Sequence, residues 1–90
     1  MPMGSYRVDM DFKEGDLEKV YNLVGYGFEG YPVGSLAGTE MDISVVPVVY
    51  VTTIPDQSAT GIGISVKVHF PNGAPQDGKV SVNVISFVAQ

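Results

Sequence analysis

The single histidine, His69, is the first residue to weigh for chemistry. A general base needs a partner that orients it and a substrate within reach. His69 sits beside Lys67 in an alternating stretch, with no acid close in sequence, so it reads as a solvated surface histidine. Asp9 and Asp11 lie two apart, which on a strand puts both carboxylates on one face. Such a pair can hold a hard cation or divide acid and base roles. Arg7 and Lys13 flank it, and the plainer reading is a charged strand surface. Ser, Thr and Tyr are plentiful, but none is framed by a nucleophile-elbow turn or by triad spacing. The chain is expected to be non-enzymatic, with no cofactor and no metal.

One stretch stands out as a possible contact site. Residues 24–38, VGYGFEGYPVGSLAG, hold five of the eleven glycines, with Tyr26, Phe28 and Tyr31 between them. The GxG here lacks the remainder of a dinucleotide fingerprint and follows no strand, so it is not a phosphate loop. Its aromatic residues, with Glu29, could grip a partner or stack on a small ring, as exposed Tyr and Phe do at hot spots. They could equally roof a sheet. Tyr26, Phe28, Glu29 and Tyr31 are the candidate binding residues.

The charge of the chain limits its partners. Net charge is −5. Residues 1–45 hold eight acids against Arg7, Lys13 and Lys19; residues 46–90 balance Asp56 and Asp77 with Lys67 and Lys79. So few cations cannot drive binding to nucleic acid by counterion release, and anionic membranes are disfavoured for the same reason. A protein with a basic surface is the expected partner. The acidic half could imitate nucleic-acid phosphates, but its cations interrupt the density that mimicry needs.

Ninety residues make one domain, small for a chain with no cysteine to staple it. An apolar fraction of 44% is globular. The longest apolar run, residues 45–51, is far below the ~20 residues of a membrane span, and no signal pattern opens the chain. A soluble, cytoplasmic protein is expected. Residues 1–5, MPMGS, read as a remnant of expression and are set aside, leaving a single domain over 6–90.

The elements follow from periodicity. YRVDMDF at 6–12 alternates strictly, with Tyr6, Val8, Met10 and Phe12 on one face, and predicts a half-buried strand. Next, Asp16 is a fitting N-cap, and Leu17, Val20, Tyr21, Val24 and Phe28 make an amphipathic stripe. The stripe predicts a helix over about 16–26, ended by Gly25 or Gly27. A loop of roughly twelve residues then leads to a strand over 41–54, longer than the usual 4–6 residues between elements. In that strand Pro47 marks an edge or a bulge. Residues 61–70 alternate again, with Ile62, Ile64, Val66, Val68 and Phe70 pointing one way. PNGAPQDG at 71–78 is turn chemistry, and 79–89 is the last strand, its phase breaking at Ile85.

The expected fold is therefore α+β, in β-α-β-β-β order: a mostly antiparallel four-stranded sheet with one helix on one face. A small β-sandwich or barrel carrying one helix is the alternative. An eleven-residue helix is about 16 Å long, whereas four strands offer roughly 480 Å² per face. One helix cannot cover that. The cover must be the glycine-rich loop, a second layer made by bending long strands, or another chain. Monomers seldom leave such faces open, so a homo-oligomer that uses Val46, Val48 and Tyr50 is the preferred reading.

For function this gives a small acidic interaction module that self-associates and binds or inhibits another protein, as a compact viral or mobile-element inhibitor or adaptor would. The alternatives are a structural subunit of a larger assembly, and a small-ligand binder with a pocket at 25–38.

Overall fold

A computed structural model describes residues 3–42, 44–57 and 61–88. It contains five strands and, among the described residues, no helix. They are β1 (Met3–Phe12), β2 (Glu18–Thr39), β3 (Val48–Pro55), β4 (Ile62–His69) and β5 (Gly78–Val88). All pairings are antiparallel, in the order β1-β5-β2-β4-β3. The expected α+β class is thus corrected to all-β, and the helix falls from the sandwich or barrel alternative as well.

The helix expected at 16–26 is the first part of β2. Residues 18–23 pair rung for rung with His69 to Ile64 of β4. An isolated eleven-residue helix is marginal in water, whereas Val20, Tyr21 and Val24 are β-branched or aromatic and suit a strand. The edge of β4 also needs a neighbour for its backbone groups. Of the expected helix stripe, Leu17, Val20, Tyr21 and Val24 are half exposed and only Phe28 is buried, while Leu23, which lies off that stripe, is buried. Asp16 caps a turn instead of a helix: its carboxylate accepts from the N–H of Lys13, three residues earlier, at 2.9 Å.

The expected loop at 27–40 is also strand. β2 runs on through Gly25, Gly27 and Gly30, all at positive φ, a conformation that side chains disfavour. Leu23 faces Ile64 but Phe28 already faces Ile62, so β2 spends more chain than β4 over the same rungs. A second slip follows between Glu29 and Val33 against β5, and a third between Leu36 and Gly38. These bulges bend β2, which leaves β4 and joins β5. Phe28 sits at the crossing, opposite both Ile62 and Val88.

The bend folds the sheet into two three-stranded layers that share β2: β1, β5 and the second half of β2 in one, the first half of β2 with β4 and β3 in the other. Phe12 of β1 and Phe70, just past β4, are separated by two strands in the sheet order, yet their rings meet edge-on at 5.1 Å. Ile64, Val66 and Val68 of β4 and Val80, Val82 and Val84 of β5 are wholly buried between the layers. The inner face is therefore covered by the chain itself, through the second of the three means of cover that the sequence allowed.

At one end two connections lock together. The Gly15 N–H donates to the Ala74 carbonyl and the Ala74 N–H to the Asp16 carbonyl, both at 2.8 Å, and the Phe70 N–H donates to Leu17 at 2.7 Å. Gly73, at φ 85°, lies against the Gly15 backbone.

Two further expectations change. The strand expected over 41–54 begins only at Val48, after the buried Pro47; Met41 packs in the core, and Ile43 lies outside the described residues. In β5 the phase does not break at Ile85, because its register with β1 is continuous from Gly78 to Phe87. Residues 3–5, set aside in the sequence reading, form the first rungs of β1.

A Cβ on Gly34, in the second half of β2, would overlap Val51 Cγ2 of β3, a strand that does not pair with it there. Gly34→Ala should cost about 1–3 kcal/mol in urea unfolding. Gly38→Ala, whose Cβ meets nothing within 4 Å, should cost much less. Adding Val51→Ala to Gly34→Ala should leave the pair at least ~1 kcal/mol short of additive; strict additivity would mean that the layers do not meet here.

Candidate interaction surface

The bend of β2 separates the four candidate binding residues. Phe28 is fully buried. Tyr26 stacks on it with centroids 5.4 Å apart and meets Tyr6 of β1 edge-on at 5.0 Å, remaining half exposed. The bend is held from the side by Asp56, whose carboxylate accepts from the Gly25 N–H at 2.7 Å. Glu29 reaches the outer surface opposite Phe87. Tyr31 lies within the slip between Glu29 and Val33, out of the ladder, and is 89% exposed. Two of the four thus belong to an aromatic cluster that fixes the bend, and two face solvent.

Around Glu29 and Tyr31 the outer face of the first layer is apolar. Directly opposed residues of an antiparallel pair share a face. Phe87 is flanked by Met3 and Glu29, and Ile85, one same-face step along, by Ser5 and Val33. Met3, Val33, Ile85 and Phe87 are all substantially exposed, Val33 at 68%. Sequence reading missed this cluster by treating Ile85 as a break in phase. The signal was present: continuing the alternation of Lys79, Ser81 and Asn83 by two steps places Ile85 and Phe87 outward.

Further along the same face the surface turns polar. Ser81 is buried and its hydroxyl donates to Asp9 Oδ1 at 2.5 Å; Arg7 Nε donates to the same oxygen and Arg7 Nη2 to the Ser81 hydroxyl, each at 3.1 Å. The Ser81 hydrogen bond first, and then Arg7, holds the Asp9 carboxyl below its ordinary range. Asp11 stands opposite Lys79. Asp9 is thus tied to Ser81 and Arg7, while Asp11 stands on a separate rung.

On the outer face of the second layer, Val48 and Tyr50 are half exposed, Val20 lies on the same rung as Tyr50, and the Lys67 ammonium is 5.8 Å from the Tyr50 ring centroid. Val46 is exposed in the connection before β3. His69 does have an acid beside it, brought by the register: Glu18 Oε1 is 3.5 Å from His69 Nδ1, a nitrogen shielded from solvent and without a hydrogen bond. Among the described residues no three metal-ligating side chains gather, no cavity is enclosed, and no helix is long and apolar enough to cross a membrane.

Compared with protein-family models, curated proteins and solved structures, the chain matches none.

Because the folded-state pKa of Asp9 is depressed, its bond to Ser81 stabilises the fold above the ordinary carboxylate range and that stability is lost as pH falls through the folded value. Ser81→Ala should therefore be less stable than the parent chain at pH about 7, with the gap narrowing below pH about 3. Denaturant unfolding at the two pH values checks this; a gap that does not change with pH would contradict it.

Proposed function

We propose that the protein is a small non-enzymatic interaction module, acting in the cytoplasm, that self-associates and binds another protein through the outer face of the first layer. The observation that carries the reading is the contiguity of Met3, Val33, Ile85 and Phe87 on adjacent rungs, with Tyr31 projecting beside them. Single exposed apolar residues are ordinary, but a joined group on a flat sheet face is the form that partner surfaces take. Tyr31 and Phe87 are the anchors, since large rings bury much area at small entropic cost.

Charge selects the kind of partner. Glu29 borders the patch, and Asp9 and Asp11 lie further along the same face. With ten acids against five cations in the chain, a protein with an apolar centre and a basic rim fits this surface better than a nucleic acid does. Such a module serves as an adaptor or an inhibitor. A chain without cysteine suits a reducing or neutral compartment.

Three baits test the reading: the parent chain, Tyr31→Ser with Phe87→Ser, and Tyr50→Ser on the other layer. Parent and Tyr50→Ser should recover the same proteins, and the double variant at least about tenfold less, with recovery falling as salt screens the rim. Equal recovery by all three would reject the patch.

A further inference from the structure

The sheet has two edge strands, β1 and β3. An edge exposes unpaired backbone groups and invites another strand, so proteins blunt it. β3 is bracketed by Pro47 and Pro55, which donate no backbone hydrogen bond. β1 has no such guard. It contains no proline between Met3 and Phe12, and runs without a slip along β5. On its outer face it carries the row Arg7, Asp9, Asp11, with the Arg7 and Asp9 side chains 63% and 45% exposed.

We propose that β1 pairs antiparallel with β1 of a second copy, about a two-fold axis through Val8, joining the first layers of the two copies into one six-stranded sheet. This deepens the self-associating part of the reading above, and it uses the strand edge instead of the apolar patch.

The charges choose the register. An axis between two residues would set outer-face residues against inner-face ones, so it must pass through a residue. Through Arg7 it opposes Arg7 to its own copy; through Asp9 it opposes Asp9 to its own copy; through Met10 it opposes Asp9 to Asp11. Through Tyr6 it brings no opposite charges together. Through Val8, each Arg7 faces the partner's Asp9, and Tyr6 stands opposite Met10. This pairs opposite charges twice and like charges nowhere, in the isologous form that a symmetric dimer requires. The same row that selects this register disfavours those through Arg7, Asp9 and Met10, which oppose like charges.

Sedimentation equilibrium at micromolar concentration should give about twice the chain mass of 9.6 kDa. Arg7→Asp and Asp9→Arg should each raise the dissociation constant at least tenfold, because each sets like charges opposite one another. Mixing the two variants should restore a dimer, since the aspartates of one then face the arginines of the other. Thermal melts confirm that each variant is folded. As the chain has no cysteine, a mixture of Arg7→Cys and Asp9→Cys provides a second test, and air oxidation should favour the mixed disulfide over either homodimer. A monomeric parent chain at ~100 μM, no recovery on mixing, or no preference for the mixed disulfide would overturn the proposal. So would loss of the dimer with Val48→Asp but not with Arg7→Asp, which would place the contact on the second layer. The proposals fail separately: a parent dimer that captures no protein leaves the edge pairing intact, and a monomer that captures one leaves the patch intact.

Discussion

The fold depends on one strand serving two ladders. β2 is hydrogen-bonded to β4 over its first part and to β5 over its second, and Phe28 stands at the crossing. A regular strand cannot turn from one layer into the other. The turn needs extra residues and backbone angles that glycine alone adopts readily, and Gly25, Gly27 and Gly30 supply them. Phe28 fills the inside of the bend, against Tyr26 and Tyr6, so the corner is packed as well as permitted. Gly25, Gly27 and Gly30 thus have a structural reason in the bend, and Gly34 one in its approach to Val51.

Once β2 bends, the rest follows from burial. β4 and β5 bring rows of valine and isoleucine to the interior, and each such side chain removed from water contributes roughly 1.5–3 kcal/mol before entropy is counted. The bonds between the connections at 13–17 and 70–74 close one end over the Phe12 and Phe70 pair. The ion pairs are exposed or nearly so, Lys13 with Asp77 at 3.9 Å and Lys67 with Glu18 at 4.0 Å among them, and add little. A chain without disulfides therefore stands on inter-layer packing, and a substitution between the layers matters more than any change to its charged surface.

Much of this was legible in the residues. The faces of 6–12, 61–70 and 79–84 appear in the structure as read, because one side of each is buried and the period of two is strict. The excess of apolar β surface is also legible, but the residues favour another chain as its cover, whereas the inner face is closed by the bent strand, an option they only leave open. Residues 16–26 were misread because Leu17, Val20, Tyr21 and Val24 fit a helical stripe as well as they fit a strand, and nothing local shows that β4 lacks a neighbour. The pairing of Glu18 with His69 was invisible for a related reason: register joins residues far apart in the chain. With the inner face closed, the case for a partner rests on what remains outside, the patch around Tyr31 and Phe87 and the bare edge of β1.

Nuclear Overhauser contacts along β2 test the central claim most directly. Cross-strand contacts are expected from Tyr21 to Val66 and from Leu36 to Val82 in one sample, with extended carbon shifts throughout residues 18–24. Helical shifts over 17–26, or the absence of either set of contacts, would contradict a single strand shared by both layers.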